Sequence, residues 1–197
     1  MIRSDYILKM IAQLAVALRQ VLKLRASKRD DDALREIDLT LQKLCGLNSH
    51  LVNALSEDSL AQTLRAGAAL DIGKALVIAE MLHEEANILA DRGDEEGSVG
   101  RYRKALRLYT EALLEREEVQ LPDYRPRVDA VAEALEEFVL PVDLADRLIR
   151  YYEKQGDFVA AGDVVGLLLE DGDDGAEAVA RSFHDRMRER GHPNVRI

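Results

Sequence analysis

The amino-acid sequence predicts an all-α fold, and three features of its 197 residues support that prediction. Trp is absent and aromatic residues make up only 5% of the chain, so the core must consist mainly of Leu, Ala, Ile and Val, which suit closely packed helices. Runs of β-branched residues are scarce, which disfavours a sheet. Apolar side chains recur at helical spacing through most of the chain, which favours amphipathic helices.

The first predicted helix runs from about Asp5 to Ala26, with Ser4 as its N-cap. Its charged and amide side chains interrupt the apolar residues at helical spacing, so we expect no membrane span. The apolar face is wide, which predicts contacts on two sides, either with neighbouring helices or across a dimer. The residues of this face are Tyr6, Ile7, Met10, Ile11, Leu14, Leu18, Val21 and Leu22.

Further helices follow from apolar periodicity between polar caps and terminal glycines. Their expected ranges are about 32–45, 49–55, 57–66, 72–92, 94–118, 126–139, 143–155, 158–170 and 175–190. The expected N-caps are Ser49, Ser56, Asp71 and Asp143, and the expected terminal glycines are Gly46, Gly67, Gly93 and Gly156. The core face of the second helix is expected to hold Leu34, Ile37, Leu41 and Leu44. No strand is expected, and 1–197 is expected to form a single domain with a sub-boundary near 119–126, where Pro122 and Pro126 break the pattern.

The charge balance argues against nucleic acid as a partner. The formal net charge is -10, and affinity for phosphates depends on Lys and Arg. Two local groups of basic residues, around Arg25 and around Arg186, are interpreted as solvated helix faces. The single cysteine, Cys45, excludes an internal disulfide and is expected to be a partly buried thiol. We therefore expect a cytoplasmic protein.

Two helical hairpins carry the same dipeptide at their turns, Gly93-Asp94 and Gly156-Asp157. Small residues near each turn are expected to let the paired helices approach closely. The small or apolar residues around the turns align as Ala86 and Leu89 with Ile149 and Tyr152, and as Ser98, Tyr102 and Ala105 with Ala161, Val165 and Leu168. A degenerate earlier copy has Leu24, Ala33 and Ile37 at corresponding places but lacks the turn glycine.

This pattern resembles the tetratricopeptide repeat, a helix-turn-helix unit of about 34 residues. The resemblance implies an α-α superhelix of antiparallel helix pairs. The pattern departs from the family because the early aromatic and the closing proline are missing, and because Glu85 stands where a large apolar residue is preferred. The stretches "MIRSDYILKMI", "RYRKALRLYTEALL" and "LPVDLADRLIRYYEKQGDF" are also similar to an uncharacterised family of bacterial proteins with no assigned activity.

No motif with a catalytic or metal-binding mechanism is found. Glu80 and His83 have the Glu-x-x-His spacing of di-iron bundles, but only one copy is present and such sites need two. The loop "EDGDDG" lacks the ligand spacing of a calcium loop. We therefore expect no metal, no cofactor and no enzymatic activity.

The expected function is a scaffold that binds a protein or peptide through a concave helical face. In resembling repeats, polar residues of each first helix line that face. Here those residues are Glu80, His83, Asn87, Asp91, Asp146, Arg150 and Lys154. Asn87 and Arg150 are expected to hold a peptide backbone or carboxylate, whereas the ordinary interpretation of each residue is exposed helix surface. The alternative function is structural self-assembly, in which the N-terminal helix forms a homodimer.

Overall fold

The computed structural model describes residues 2–115 and 120–191, and in this part of the chain the all-α prediction is confirmed. Ten helices are present in the described residues. They are α1 (Ile2–Ala26), α2 (Asp30–Cys45), α3 (Ser49–Ala54), α4 (Glu57–Thr63), α5 (Ile72–Asp91), α6 (Glu95–Leu114), α7 (Arg125–Ala134), α8 (Val142–Gln155), α9 (Phe158–Asp171) and α10 (Ala176–Glu189). No helix in these residues is long and apolar enough to cross a membrane.

One small hairpin was not expected from the sequence. Strands β1 (Arg65–Ala66) and β2 (Ala69–Leu70) pair antiparallel, with Arg65 opposite Leu70. The expected helix end at Gly67 is therefore wrong: α4 ends at Thr63, and Gly67, with φ 65°, lies between the two strands. Strands of two residues are too short to show an alternating pattern in the sequence.

Of the five predicted N-caps, two cap their helices and three do not. Ser56 and Asp71 cap α4 and α5, because their side chains accept hydrogen bonds from backbone N–H groups in the first turn. The other three expected caps lie inside the first turn of their helices instead. Ser4 lies within α1, Ser49 follows the cap Asn48, and Asp143 follows Pro141, whose carbonyl accepts the first bonds of α8.

Two other helices have described ends that precede the predicted ones. Helix α7 ends at Ala134, where a turn follows, rather than near 139. The predicted end of α6 at Glu118 lies outside the described residues, and the described helix ends at Leu114.

Three helical hairpins share one turn geometry. Lys28, Gly93 and Gly156 have φ values of 55°, 77° and 76°. In each hairpin the N–H of the following residue donates to the carbonyl oxygen five residues earlier, at 2.9–3.0 Å, which is the Schellman arrangement. The α1–α2 hairpin therefore makes this turn with Lys28 in place of glycine. This is the position at which the degenerate repeat copy lacks its turn glycine.

The chain divides into two compact units, Met1–Ala134 and Leu135–Ile197. The division follows α7 and lies beyond 119–126, where the sequence places a sub-boundary. In the first unit α5 packs most extensively against α6 and also against α1 and α2. In the second unit α8 packs against α9 and α10, and Ala145, Leu168 and Ala176 form a buried apolar cluster.

Close packing of the hairpins agrees with the small residues in the sequence. Ala86, Ser98 and Ala105 in the α5–α6 hairpin are at most 4% exposed, and Ala161 in α9 is fully buried. Helix α1 packs against both α2 and α5, which is one of the two expected alternatives for its wide apolar face, although Tyr6 and Leu22 of that face are exposed. A Cβ at Gly73 of α5 would lie 3.2 Å from Met10 Cγ, so glycine permits the close approach of α1.

Candidate functional site

Helix α5 carries four polar side chains into the interior of the first unit. Glu80, His83, Glu84 and Glu85 are only 1–7% exposed. The helix is apolar on nearly all sides, as expected for a helix covered by several neighbours. This corrects the expectation that Glu80 and His83 line an open concave face.

Two arginines from other helices pair with Glu80 and Glu84, and a third, Arg101 of α6, pairs with Glu85 at 3.2 Å. Arg25 of α1 forms an ion pair with Glu84, and Arg127 of α7 lies 3.5 Å from Glu80 and 3.7 Å from Glu84. A buried carboxylate without such a partner would be strongly destabilising. We call Arg25, Glu80, His83, Glu84 and Arg127 the arginine-capped cluster, and it connects α1, α5 and α7.

Burial changes the acid–base behaviour of this cluster. Loss of solvation raises the pKa of Glu80, although the nearby Arg127 guanidinium lowers it. The fully buried hydroxyl of Tyr109 faces Glu80, and burial raises the pKa of Tyr109 well above its usual value. Burial therefore shifts the pKa of both groups upward, while Arg127 opposes that shift at each of them.

His83 is a neutral imidazole at physiological pH. Burial lowers its pKa to about 4, and the positive charges of Arg127 and Arg25 act in the same direction. Its ring lies edge-on to Tyr102 and Tyr109, with ring centroids 6.0 and 6.4 Å apart, and its Nδ1 atom makes no hydrogen bond to a described residue. The cluster thus contains a histidine that is held by aromatic packing rather than by charge.

Four further residues of the expected concave face, Asn87, Asp91, Asp146 and Arg150, form hydrogen bonds within their own units. Asn87 of the first unit accepts a hydrogen bond from the Tyr102 hydroxyl at 2.7 Å, and the exposed Asp91 accepts one from Arg25 at 3.3 Å. In the second unit Arg150 donates to Asp146 at 2.7 Å, one helical turn away. Lys154 is exposed.

Metal or thiol chemistry would depend on the possible metal ligands of the described residues and on the thiol of Cys45. No group of three or more His, Cys, Asp or Glu side chains in the described ranges is arranged to hold a metal ion. Cys45 is buried more deeply than the expected partly buried thiol, since it is only 5% exposed. Its thiol donates a weak hydrogen bond to the Lys74 carbonyl, and burial raises its pKa to about 12. A thiol with so high a pKa is a poor nucleophile at neutral pH.

Open grooves lie on both sides of α2. The larger one, which we call the α2–α5 groove, has a volume of about 450 Å³. It is lined by Leu34, Arg35, Asp38, Leu39, Ser49 and Glu85. Ser49 Oγ and Glu85 Oε2 are covered from solvent and have no hydrogen-bond partner among the described residues.

The smaller groove, which we call the α1–α2 groove, has a volume of about 250 Å³. It is lined by Gln13, Val16, Ala17, Glu36, Leu39, Thr40, Lys43 and Leu44. Leu39 contributes to both grooves and is 58% exposed, so it forms the ridge between them.

Some residues that line the two grooves were predicted to lie in the core, and one was not predicted to have any role. Leu34 and Leu44 were expected on the buried face of α2, but they are half-buried and line the groove walls, whereas Ile37 and Leu41 are fully buried as expected. Leu39 was not singled out. Helical periodicity places Leu39 outside the buried stripe of α2, where its side chain is exposed.

Comparisons with protein-family models, with curated proteins and with solved structures found no match. The function is therefore inferred from the residues and geometry described above.

Proposed function

We propose that the chain is a non-catalytic helical scaffold that binds a peptide segment of another cytoplasmic protein. The α2–α5 groove is the observation that carries this proposal. It is open, its volume lies within the range of ligand sites, and it combines two leucines with polar oxygens that no described residue hydrogen-bonds. Such a mixture of apolar wall and a few polar groups is typical of peptide recognition.

The chemistry of the groove favours a partner with a basic side chain next to an apolar one. Leu34 and Leu39 provide an apolar wall, and Ser49 Oγ and Glu85 Oε2 are acceptors that lack a donor. Glu85 Oε1 already accepts hydrogen bonds from Asn53 at 2.8 Å and from Arg101 at 3.2 Å. A Lys or Arg of the partner would therefore reach the second oxygen, Oε2, with a charge-assisted hydrogen bond, while Oε1 keeps its own partners. The net charge of -10 also favours a basic partner.

The arginine-capped cluster has a structural role in this proposal. Arg25 and Arg127 tie α1 and α7 to α5, and α5 forms one wall of the groove through Glu85. The tetratricopeptide-like stacking of helix pairs also belongs to the proposal, and the common turn of the α1–α2, α5–α6 and α8–α9 hairpins supports it.

A selection from a random peptide library displayed on phage tests the function. We expect wild-type protein to enrich peptides with a Lys or Arg beside an apolar residue, and Leu39→Asp to lose them. Val159→Asp is the matched control, since Val159 is 71% exposed and lies on α9 in the second unit. Glu85→Gln should reduce the preference for the basic residue. The absence of enrichment, or enrichment that survives Leu39→Asp, would contradict the proposal.

A further inference from the structure

The α1–α2 groove exposes two large apolar side chains side by side. Val16 of α1 is 61% exposed and Leu39 of α2 is 58% exposed, and both line this groove. Leaving two such side chains in water is unfavourable in proportion to the apolar surface that they expose. An apolar pair in a shallow groove is therefore a candidate for contact with another protein surface.

Two charged residues are placed symmetrically about the apolar centre of this groove. Glu36 and Lys43 line it and are seven residues apart, so they lie two turns apart on the same face of α2, with Leu39 and Thr40 between them. Neither forms an ion pair with any residue in the described ranges. By contrast, the neighbouring Arg35 forms an ion pair with Asp32 of the same helix.

We propose that this face binds a second copy of the chain. If two α2 helices pack antiparallel about a two-fold axis between Leu39 and Thr40, Glu36 of each copy faces the partner's Lys43. One surface then supplies both an acidic and a basic end, which is the self-complementarity that a two-fold interface requires. A parallel arrangement is disfavoured, because it would place Glu36 against the partner's Glu36.

The apolar contact and the ion pairs have different roles in this interface. Burial of Val16 and Leu39 supplies most of the attraction, since ion pairs at an exposed rim contribute little affinity. The two ion pairs fix the antiparallel register, because like charges placed opposite one another are unfavourable. The interface uses the α1–α2 groove and the proposed peptide site uses the α2–α5 groove, but Leu39 lines both. Changes away from Leu39, such as Val16→Asp and Glu36→Lys, therefore test the dimer separately from the peptide site.

Charge reversal tests the proposal by sedimentation equilibrium over a range of protein concentrations. We expect wild type to form dimers. Glu36→Lys and Lys43→Glu should each weaken self-association by roughly tenfold or more, since each places two pairs of like charges across the interface. An equimolar mixture of the two variants should associate as heterodimers about as strongly as wild type.

In that heterodimer one chain is basic at both positions and the other is acidic at both, so each pair again joins opposite charges. Heterodimer formation also shows that both variants are folded.

Two further variants complete the test. Val16→Asp should abolish dimers, whereas Val159→Asp, the matched change on α9, should leave them unaffected. A monomeric wild type would overturn the proposal. So would a dimer that persists in both single charge variants, or a mixture of the two that stays monomeric. Glu36→Lys lies outside the α2–α5 groove and should keep the phage-selected peptides, so loss of dimers and loss of peptide binding are distinguishable.

Discussion

The α5–α6 hairpin of the first unit and the α8–α9 hairpin of the second have the same turn but differ in how their first helices are buried. His83 and Asp146 each lie ten residues before the turn glycine. His83 is 4% exposed, whereas the side chain of Asp146 is 24% exposed. The difference arises because α5 packs against α1, α2 and α6, whereas α8 packs mainly against α9 and α10. A shared turn therefore fixes local geometry but does not fix burial.

The same comparison reveals one point at which the two units agree. Each contains a carboxylate that is almost fully buried and that is held by one close and one more distant arginine. Glu84 pairs with Arg25 and lies 3.7 Å from Arg127, and Glu153 is 2.6 Å from Arg186 and 3.6 Å from Arg190. In both units the buried carboxylate is thus paired with arginines outside its own helix, from α1 and α7 in the first unit and from α10 and its C-cap in the second.

Removal of the close arginine gives the largest predicted effect. Arg25→Met and Arg186→Met should each destabilise their unit by about 3 kcal/mol, because each leaves a buried carboxylate with only its more distant partner. Native-state hydrogen exchange of the α5 and α8 amides measures the two units separately. Arg35→Met is the control, since Arg35 is exposed and its pair with Asp32 should be worth less than about 1 kcal/mol. Losses as small as the control's would show that the buried pairs do not stabilise the units.

The pH dependence of the first unit should depend on His83. Its pKa of about 4 in the folded state lies below the usual value of 6.5, so the unfolded chain binds more protons between these pH values. The stability due to His83 is complete above pH 6.5 and falls by up to about 3 kcal/mol as the pH drops to 4. The raised pKa of Glu80 acts in the opposite direction, so the useful quantity is the difference between wild type and His83→Gln.

Denaturant unfolding at several pH values measures this difference. Wild type should lose more stability than His83→Gln between pH 6.5 and 4. Nuclear magnetic resonance provides an independent check, because the ring signals of His83 should not shift near pH 6.5. Equal pH slopes for the two proteins, or a ring titration near 6.5, would mean that His83 is solvated.

The sequence allowed local structure to be predicted better than burial. The turn glycines Gly93 and Gly156 and the cap Asp71 were identified correctly, because their signals depend only on a few neighbouring residues. The interior position of Glu80 and His83 was missed, although the apolar residues around nearly the whole of α5 were a signal for it. Which helices cover α5 depends on contacts distant in the sequence. The grooves depend on the same contacts, so no local pattern predicted them.

The aspartate caps of the two hairpins should have equal effects. Asp94 accepts a hydrogen bond from the Gly97 N–H at 2.9 Å, and Asp157 accepts one from the Ala160 N–H at 3.0 Å. Asp94→Ala and Asp157→Ala should each cost about 1 kcal/mol, because each leaves one N–H in the first turn without its partner. Urea unfolding measures the cost. Clearly unequal losses would show that the two turns differ more than their geometry indicates.

The turn of the α1–α2 hairpin gives the smallest predicted effect and the finest test of the comparison. Lys28 holds a left-handed backbone with φ 55°, which costs a residue with a side chain more than it costs glycine. Lys28→Gly should stabilise the first unit by about 0.5 kcal/mol, after subtraction of the greater freedom of glycine in the unfolded chain. Gly93→Ala should lower the free energy of unfolding by about 1 kcal/mol, because alanine is strained in the left-handed backbone conformation. No steric clash contributes, since an added Cβ would contact nothing within 4 Å. Opposite shifts in the urea midpoint would therefore show that the α1–α2 and α5–α6 hairpins use the turn for the same physical reason. A loss of stability with Lys28→Gly would mean that the Lys28 side chain itself stabilises the turn.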